Sequence, residues 1–142
     1  MTSFPAEGAL DRIAGSVVTE ALNVLIAEDA ALIALDLRLS VEAARHRVVA
    51  IVRTADAAVR AVDRARPDAV LMDLTLASGS SGADAPHELL VRHGLRSIFI
   101  SGNLDLPTRE RLADLHPVAM LNKPFVRNQL EAALARHWEE RG

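Results

Sequence analysis

Apolar positions along this chain fall into short continuous runs alternating with stretches of helical spacing. The first run covers residues 23–28 (NVLIAE) and reads as a buried strand. Residues 30–45 follow with helical spacing, placing Leu32, Leu35 and Leu39 on one face and Ile33 and Leu37 beside them. A second strand is predicted over 48–52, and Thr54 then offers its hydroxyl as a cap to a helix carrying Ala55, Ala58, Val59 and Val62 at i, i+3, i+4, i+7. Pro67 closes that helix, and residues 68–73 (DAVLMD) read as a third strand. A Gly/Ser loop over 77–82 leads to a short helix over 85–93 that Gly94 ends. Residues 97–101 (SIFIS) form a fourth strand. Pro107 suits the first turn of a helix running to about residue 115. A fifth strand over 118–121 precedes a last helix over 126–138, with Leu130, Leu134 and Trp138 on one face.

Five apolar strands alternating with five helices imply an α/β fold: a doubly wound, five-stranded parallel sheet with helices on both faces, of the (βα)5 flavodoxin-like kind. Residues 1–22 lie outside the alternation and are read as an N-terminal extension, with a short extra helix over 11–21 as one option; residues 23–142 form the domain. The length of 142 residues fits one domain.

Composition narrows the function. Half the residues are hydrophobic, enough for a sizeable core, and with 3% aromatics that core is built from Ala, Leu, Val and Ile. A net charge of −3 is too mild to suggest a nucleic-acid or membrane surface. Cysteine is absent, which excludes disulfides and thiolate chemistry. The chain starts without a secretory-signal pattern and has no span-length apolar run, so a cytoplasmic location is expected. Of sixteen basic residues only Lys123 is a lysine, which marks a position where a compact ammonium is wanted and not a planar fork. Arg-rich codon usage explains the same count equally well.

In parallel α/β sheets ligands gather at the carboxyl ends of the strands. There this sequence places Glu28-Asp29 after the first strand, Asp73 at the end of the third, Ser101-Gly102 at the end of the fourth and Lys123-Pro124 after the fifth. Taken singly these have plain structural readings: Asp29 as a helix cap, Asp73 as a turn residue, Ser-Gly as loop. Together they form a chemical set. Three close carboxylates repel, and a hard cation with oxygen ligands, Mg²⁺ above all, relieves the repulsion. One carboxylate is then a competent nucleophile toward an activated phosphoryl group, while an ammonium and a hydroxyl stabilise the equatorial oxygens.

At this point the sequence resembles the receiver domains of two-component response regulators, over about residues 23–140. The residues carrying the resemblance are Glu28-Asp29 in NVLIAEDAALIALDL, Asp73 in DAVLMDLTL, Ser101-Gly102 in FISGN, and Lys123-Pro124-Phe125. The spacings agree too: 44 positions from Asp29 to Asp73, 28 on to Ser101 and 22 on to Lys123. The resemblance implies Asp73 as phospho-acceptor, and Glu28, Asp29, Asp73 and the backbone carbonyl of Thr75 as the Mg²⁺ site. It implies Ser101 as the switch hydroxyl and Lys123 as the phosphoryl-binding ammonium with a cis bond to Pro124. Gly102 leaves room in the phosphoryl pocket, and Thr75 and Asn103 stand where the family tunes phosphoryl lifetime.

Such a protein is not an enzyme beyond Mg²⁺-dependent phosphorylation and dephosphorylation of its own Asp73. Its expected partners are a histidine kinase or phosphotransfer protein, a downstream protein target, and in one option a second copy as homodimer; nucleic acid and membrane are not expected. Output is expected through the face of the fourth helix, fifth strand and fifth helix, roughly residues 107–138. Two features depart from the family pattern. Met120 occupies the usual switch-aromatic position, and the loop after Asp73 reads LTLASGSSG without the common Met-Pro. They keep alive an alternative, a degenerate receiver acting as a phosphorylation-independent binding module. A Mg²⁺-dependent aspartyl phosphatase ranks lowest, because its second carboxylate two residues on is here Thr75. The five histidines have no metal-ligand spacing and are expected mostly at exposed helix ends and loops.

Overall fold

The computed structural model describes residues 21–77 and 84–141. The proposed N-terminal helix over 11–21 lies almost wholly outside the described residues, and most of the 77–82 loop does too. Five strands are present: β1 (Asn23–Ala27), β2 (Arg47–Val52), β3 (Ala69–Asp73), β4 (Ser97–Ser101) and β5 (Ala119–Asn122). The helices among the described residues are α1 (Ala31–Ala43), α2 (Ala55–Ala65), α3 (Leu74–Ala77), α4 (Asp84–His93), α5 (Leu106–Ala113) and α6 (Arg127–Arg141). The sheet is parallel throughout, in the order β2-β1-β3-β4-β5. The expected doubly wound α/β fold is therefore the observed one.

Two apolar layers sandwich the sheet. On one face Leu37 and Val41 of α1 and Leu130, Ala133 and Leu134 of α6 pack on Val24, Ile26, Leu71, Ile98 and Ile100. On the other, Ala55, Ala58 and Val62 of α2, Ala85 and Leu89 of α4 and Leu112 of α5 pack on Leu25, Val70, Met72 and Phe99. Burial on both faces explains why the central strands read as continuous apolar runs and not as alternation. Helix ends follow the expected chemistry: the Thr54 hydroxyl accepts the Ala57 N–H at 3.0 Å, and Asp105 caps α5 through the Thr108 N–H at 2.9 Å. Gly94, at φ +67°, ends α4 in the left-handed region.

Leu32, Leu35 and Leu39 share one face of α1, as their spacing places them; it is the solvent face, with Leu32 82% exposed, while Ala34, Leu37, Ser40 and Val41 face the sheet. Three expectations need correction. A short helix, α3, directly follows β3, where loop was expected soon after Asp73. α5 ends at Ala113, and α6 runs three residues further than predicted. His137 is buried, with Nε2 2.7 Å from the Asp68 carbonyl, so it is not an exposed helix-end residue.

β1 is followed by β2 on one side of it and β3 on the other. The chain therefore switches direction across the sheet between β1 and β3, and a crevice opens at their carboxyl ends. Glu28 follows β1, and Asp73 closes β3.

Candidate functional site at the carboxyl edge of the sheet

Glu28 and Asp73 sit on the crevice floor, 2% and 5% exposed, while Asp29 stands at its rim in water. Glu28 is fixed by its backbone, whose N–H extends the sheet by donating to the Val52 carbonyl at 2.9 Å. Its Oε2 accepts the Ala30 N–H at 3.1 Å. Its Oε1 is buried and lacks a hydrogen-bond partner. Asp73 Oδ1 accepts the Thr75 N–H at 2.8 Å, the Asp side chain turning back to cap the first turn of α3.

Lys123 reaches both buried carboxylates. Its Nζ lies 3.3 Å from Asp73 Oδ2 and 3.8 Å from Glu28 Oε1. The position follows from the backbone: the Lys123 N–H donates to the Ser101 carbonyl at 2.7 Å, and the Lys123–Pro124 peptide bond is cis, as the resemblance implied. Ser101 is half-buried, with its Oγ turned toward its own loop, where it accepts the Asn103 N–H at 3.0 Å. Asn122 adds a second tie to that loop, its Oδ1 accepting the Leu104 N–H at 3.0 Å.

The two buried carboxyl groups titrate unequally. Burial raises Glu28 above the usual carboxylate range, and the neighbouring Asp73 adds to the effect. Burial works to raise Asp73 as well, but the Thr75 N–H, the Glu28 carboxyl and Lys123 outweigh it and hold Asp73 low. Of the pair, Asp73 therefore gives up its proton the more readily.

A cation fits here. Glu28, Asp29 and Asp73 can each offer an oxygen, all within 4.8 Å of one another, and the orphaned Glu28 Oε1 is a buried acceptor without a donor. An all-oxygen set suits Mg²⁺ or Ca²⁺ and not a thiolate-seeking metal. Thr75 is at the same edge, exposed, in the turn that the Asp73 carboxylate caps. A β-carbon at Gly102 would meet no heavy atom within 4 Å, so packing does not demand glycine there.

Every site residue read from the sequence is brought to this edge. Beside it lies a polar cavity of about 210 Å³, lined by Leu74, Thr75, Ser101, Asn103, Thr108 and Arg111, which no motif or spacing in the chain announces. Only the fold reveals it, because α5 brings Thr108 and Arg111 across from β4.

The fold and this edge define a receiver-type α/β domain with an acidic, cation-competent crevice. The chain belongs to the response regulator receiver domain family, whose model matches residues 24–135. It is 37% identical over 118 residues to the phyllosphere-induced regulator PhyR of Methylorubrum extorquens, a match covering 82% of this chain and 43% of that protein. The chain thus spans less than half the length of that relative. Among solved structures, it is similar to the signal receiver domain of a modulated diguanylate cyclase from Desulfovibrio desulfuricans. There the TM-score is 0.76 and the identity 28%, over 85% of this chain and 96% of that one. It is also similar to the anti-anti-sigma factor PhyR from Bartonella quintana, with TM-score 0.66 and 34% identity, over 85% of this chain and 48% of that one.

Proposed function

We propose that this chain is a phospho-accepting switch: Asp73 takes a phosphoryl group from a phosphorylated histidine of a kinase or phosphotransfer protein, with Mg²⁺ held by Glu28, Asp29, Asp73 and the Thr75 carbonyl. The observation that carries the reading is the Lys123 ammonium 3.3 Å from Asp73 Oδ2, beside a buried Glu28 oxygen that has no donor of its own. In the transfer an Asp73 carboxylate oxygen forms a bond to phosphorus and the N–P bond of phosphohistidine breaks. The electron pair returns to the imidazole nitrogen. Bound Mg²⁺ supplies charge neutralisation for the phosphoryl oxygens. Lys123 supplies a fixed positive charge, and its link to Asp73 is replaced by one to the phosphoryl group. Ser101 leaves the Asn103 N–H and donates its hydroxyl hydrogen to a phosphoryl oxygen, and Gly102 keeps that approach open.

The output follows from that exchange. Residues 102–105 join Ser101 directly to the capped start of α5, so release of the Asn103 N–H loosens the loop that seats α5. The face built by α5, β5 and α6 exposes Leu106 and Arg111, with Val126 at its edge, and is the proposed surface for a downstream protein or a second copy. The protein acts in the cytoplasm and performs no chemistry beyond its own phosphorylation and dephosphorylation; among the described residues no helix is long and apolar enough to cross a membrane.

A second reading has one observation in its favour. Met120, where the family's switch aromatic stands, is half-buried and packed against the core on the α2–α4 side, so no ring is there to swing. A binding module working by shape alone would use the same surface without phosphorylation. Incubating wild type and Asp73→Asn with phosphoramidate and Mg²⁺, read by intact mass, separates the two. One phosphoryl adduct on wild type alone is expected, and an equal adduct on both, or none on either, contradicts the switch.

A further inference from the structure

The polar cavity beside the phosphoryl site, about 210 Å³ in volume, has a wall that the phosphoryl chemistry above does not use. Thr75 enters it from the first turn after Asp73, and Ser101 and Asn103 from the end of β4. The remaining wall is α5, through Thr108 and Arg111. These two are three positions apart on one helix and so share a face. Among the described residues that line the cavity, Arg111 brings the one charge. It is exposed, and among the described residues it makes no hydrogen bond or close ion pair. Arg109 on the same helix differs: its Nε donates to the Leu104 carbonyl at 3.0 Å and is held there. Asp105, which the Thr108 hydroxyl and N–H hold below the usual carboxylate range, also feels the Arg111 charge. That carboxylate is already engaged in capping α5, so it offers Arg111 only a diffuse attraction.

We propose that Arg111 is a second phosphoryl-binding cation: once Asp73 is phosphorylated, its guanidinium turns into the cavity and donates to a phosphoryl oxygen. This rests on the phospho-accepting reading and extends it. A phosphoryl group carries roughly 1.5 to 2 negative charges near neutral pH, more than the carboxylate it replaces. Lys123 meets that charge from β5, where its Nζ lies 3.3 Å from Asp73 Oδ2. Arg111 meets it from α5, and the planar fork of a guanidinium suits phosphoryl oxygens better than a point charge does. The side chain turns about its own bonds, and α5 stays where it is. Arg111 also stands on the face proposed for output. Drawn into the cavity, it leaves that face with one positive charge fewer, so a partner docking there reads the state of Asp73 as the loss of this charge.

Beryllofluoride with Mg²⁺, a stable mimic of a phosphoryl group on aspartate, is the probe. It is titrated into the full chain as wild type, Arg111→Gln and Arg60→Gln, and binding is followed by amide spectra. Arg60, exposed on α2, is the charge-matched control. Arg111→Gln is expected to raise the half-saturating concentration at least fivefold, and Arg60→Gln to leave it within twofold of wild type. A second measurement reads the side chain itself. Phenylglyoxal modification of wild type, mapped by peptide mass spectrometry, is expected to slow at least fivefold at Arg111 when the probe is bound and to stay unchanged at Arg60. Equal half-saturation in Arg111→Gln and wild type, or an Arg111 left unprotected in saturated wild type, overturns the proposal. Phosphoramidate labelling of wild type, read by intact mass, separates the two levels. No label and no beryllofluoride binding sink the phospho-accepting reading and this inference with it; a normal label with Arg111 unprotected sinks the inference alone.

Discussion

The Lys123 ammonium stands 3.3 Å from Asp73 Oδ2, and the same nitrogen is 3.8 Å from Glu28 Oε1. One cation thus balances two carboxyl groups that are almost fully buried. Replacing it by Met leaves them facing each other with nothing between. Without divalent metal, Lys123→Met is expected to lose about 1–2 kcal/mol of stability at neutral pH. That is below the ~3–5 kcal/mol of a fully buried pair, since the Lys side chain is 30% exposed. Urea unfolding checks the loss, and added Mg²⁺ restores part of it. Lys123→Arg keeps the charge but not the compact head, and is expected to bind Mg²⁺ while phosphorylation no longer shifts the amides of α5. Wild-type shifts in that variant contradict the role given to Lys123.

Ser101 is poised on the wrong side of the site for its proposed work, its hydroxyl engaged by the Asn103 N–H at 3.0 Å. Ser101→Ala removes both this contact and the later one to the phosphoryl group. Asp73 remains intact, so the variant is expected to take up phosphoryl yet show no phosphorylation-dependent change at residues 102–113. Backbone amide spectra before and after labelling make the measurement.

At Gly102 folding and function make separate demands. An added methyl meets nothing within 4 Å, so Gly102→Ala is expected to melt within about 0.5 kcal/mol of wild type. If glycine is there to admit the phosphoryl group, labelling by phosphoramidate slows about tenfold, an added barrier of roughly 1.4 kcal/mol. Unchanged labelling removes Gly102 from the pocket.

His46 ties the protein's stability to pH far from the phosphoryl site. Its Nδ1 accepts the Leu22 N–H, which requires that nitrogen to be unprotonated, and burial lowers its pKa below 6.5. In the unfolded chain the ring protonates more readily than in the folded one. The histidine's contribution is therefore fully present above pH 6.5 and is lost as pH falls from there through the lowered folded value. Urea midpoints measured between pH 7.5 and 5 are expected to drop for wild type and to flatten in His46→Gln.

Much of this architecture was legible in the chain because the strands are buried on both faces. Runs such as AVLMD and SIFIS admit few other readings. The site was legible for a related reason: in a parallel sheet the residue after each strand lands on one edge, so order along the sequence becomes proximity in space. α1 shows where spacing alone stops. It puts Leu32, Leu35 and Leu39 on one face without saying which face is buried; Ala34 and Ser40 bury beside Leu37 and Val41, and the leucine stripe points outward. Small residues admit close helix-to-sheet packing, and a hydrophobic count does not register them. His137 was misplaced because its partner, the Asp68 carbonyl, is 69 residues away in sequence. The polar cavity beneath Arg111 likewise exists only once α5 crosses β4.

The central claim is that Asp73 becomes an acyl phosphate. An acyl phosphate is reduced by borohydride to the alcohol, which converts a phosphorylated aspartate to homoserine and leaves free carboxylates untouched. After treatment with phosphoramidate and Mg²⁺, then borohydride, peptide mass spectrometry is expected to find homoserine at position 73 alone, and none when the metal is chelated. Homoserine at Glu28's neighbour Asp29 instead, or none anywhere in protein shown to bind Mg²⁺, contradicts the account.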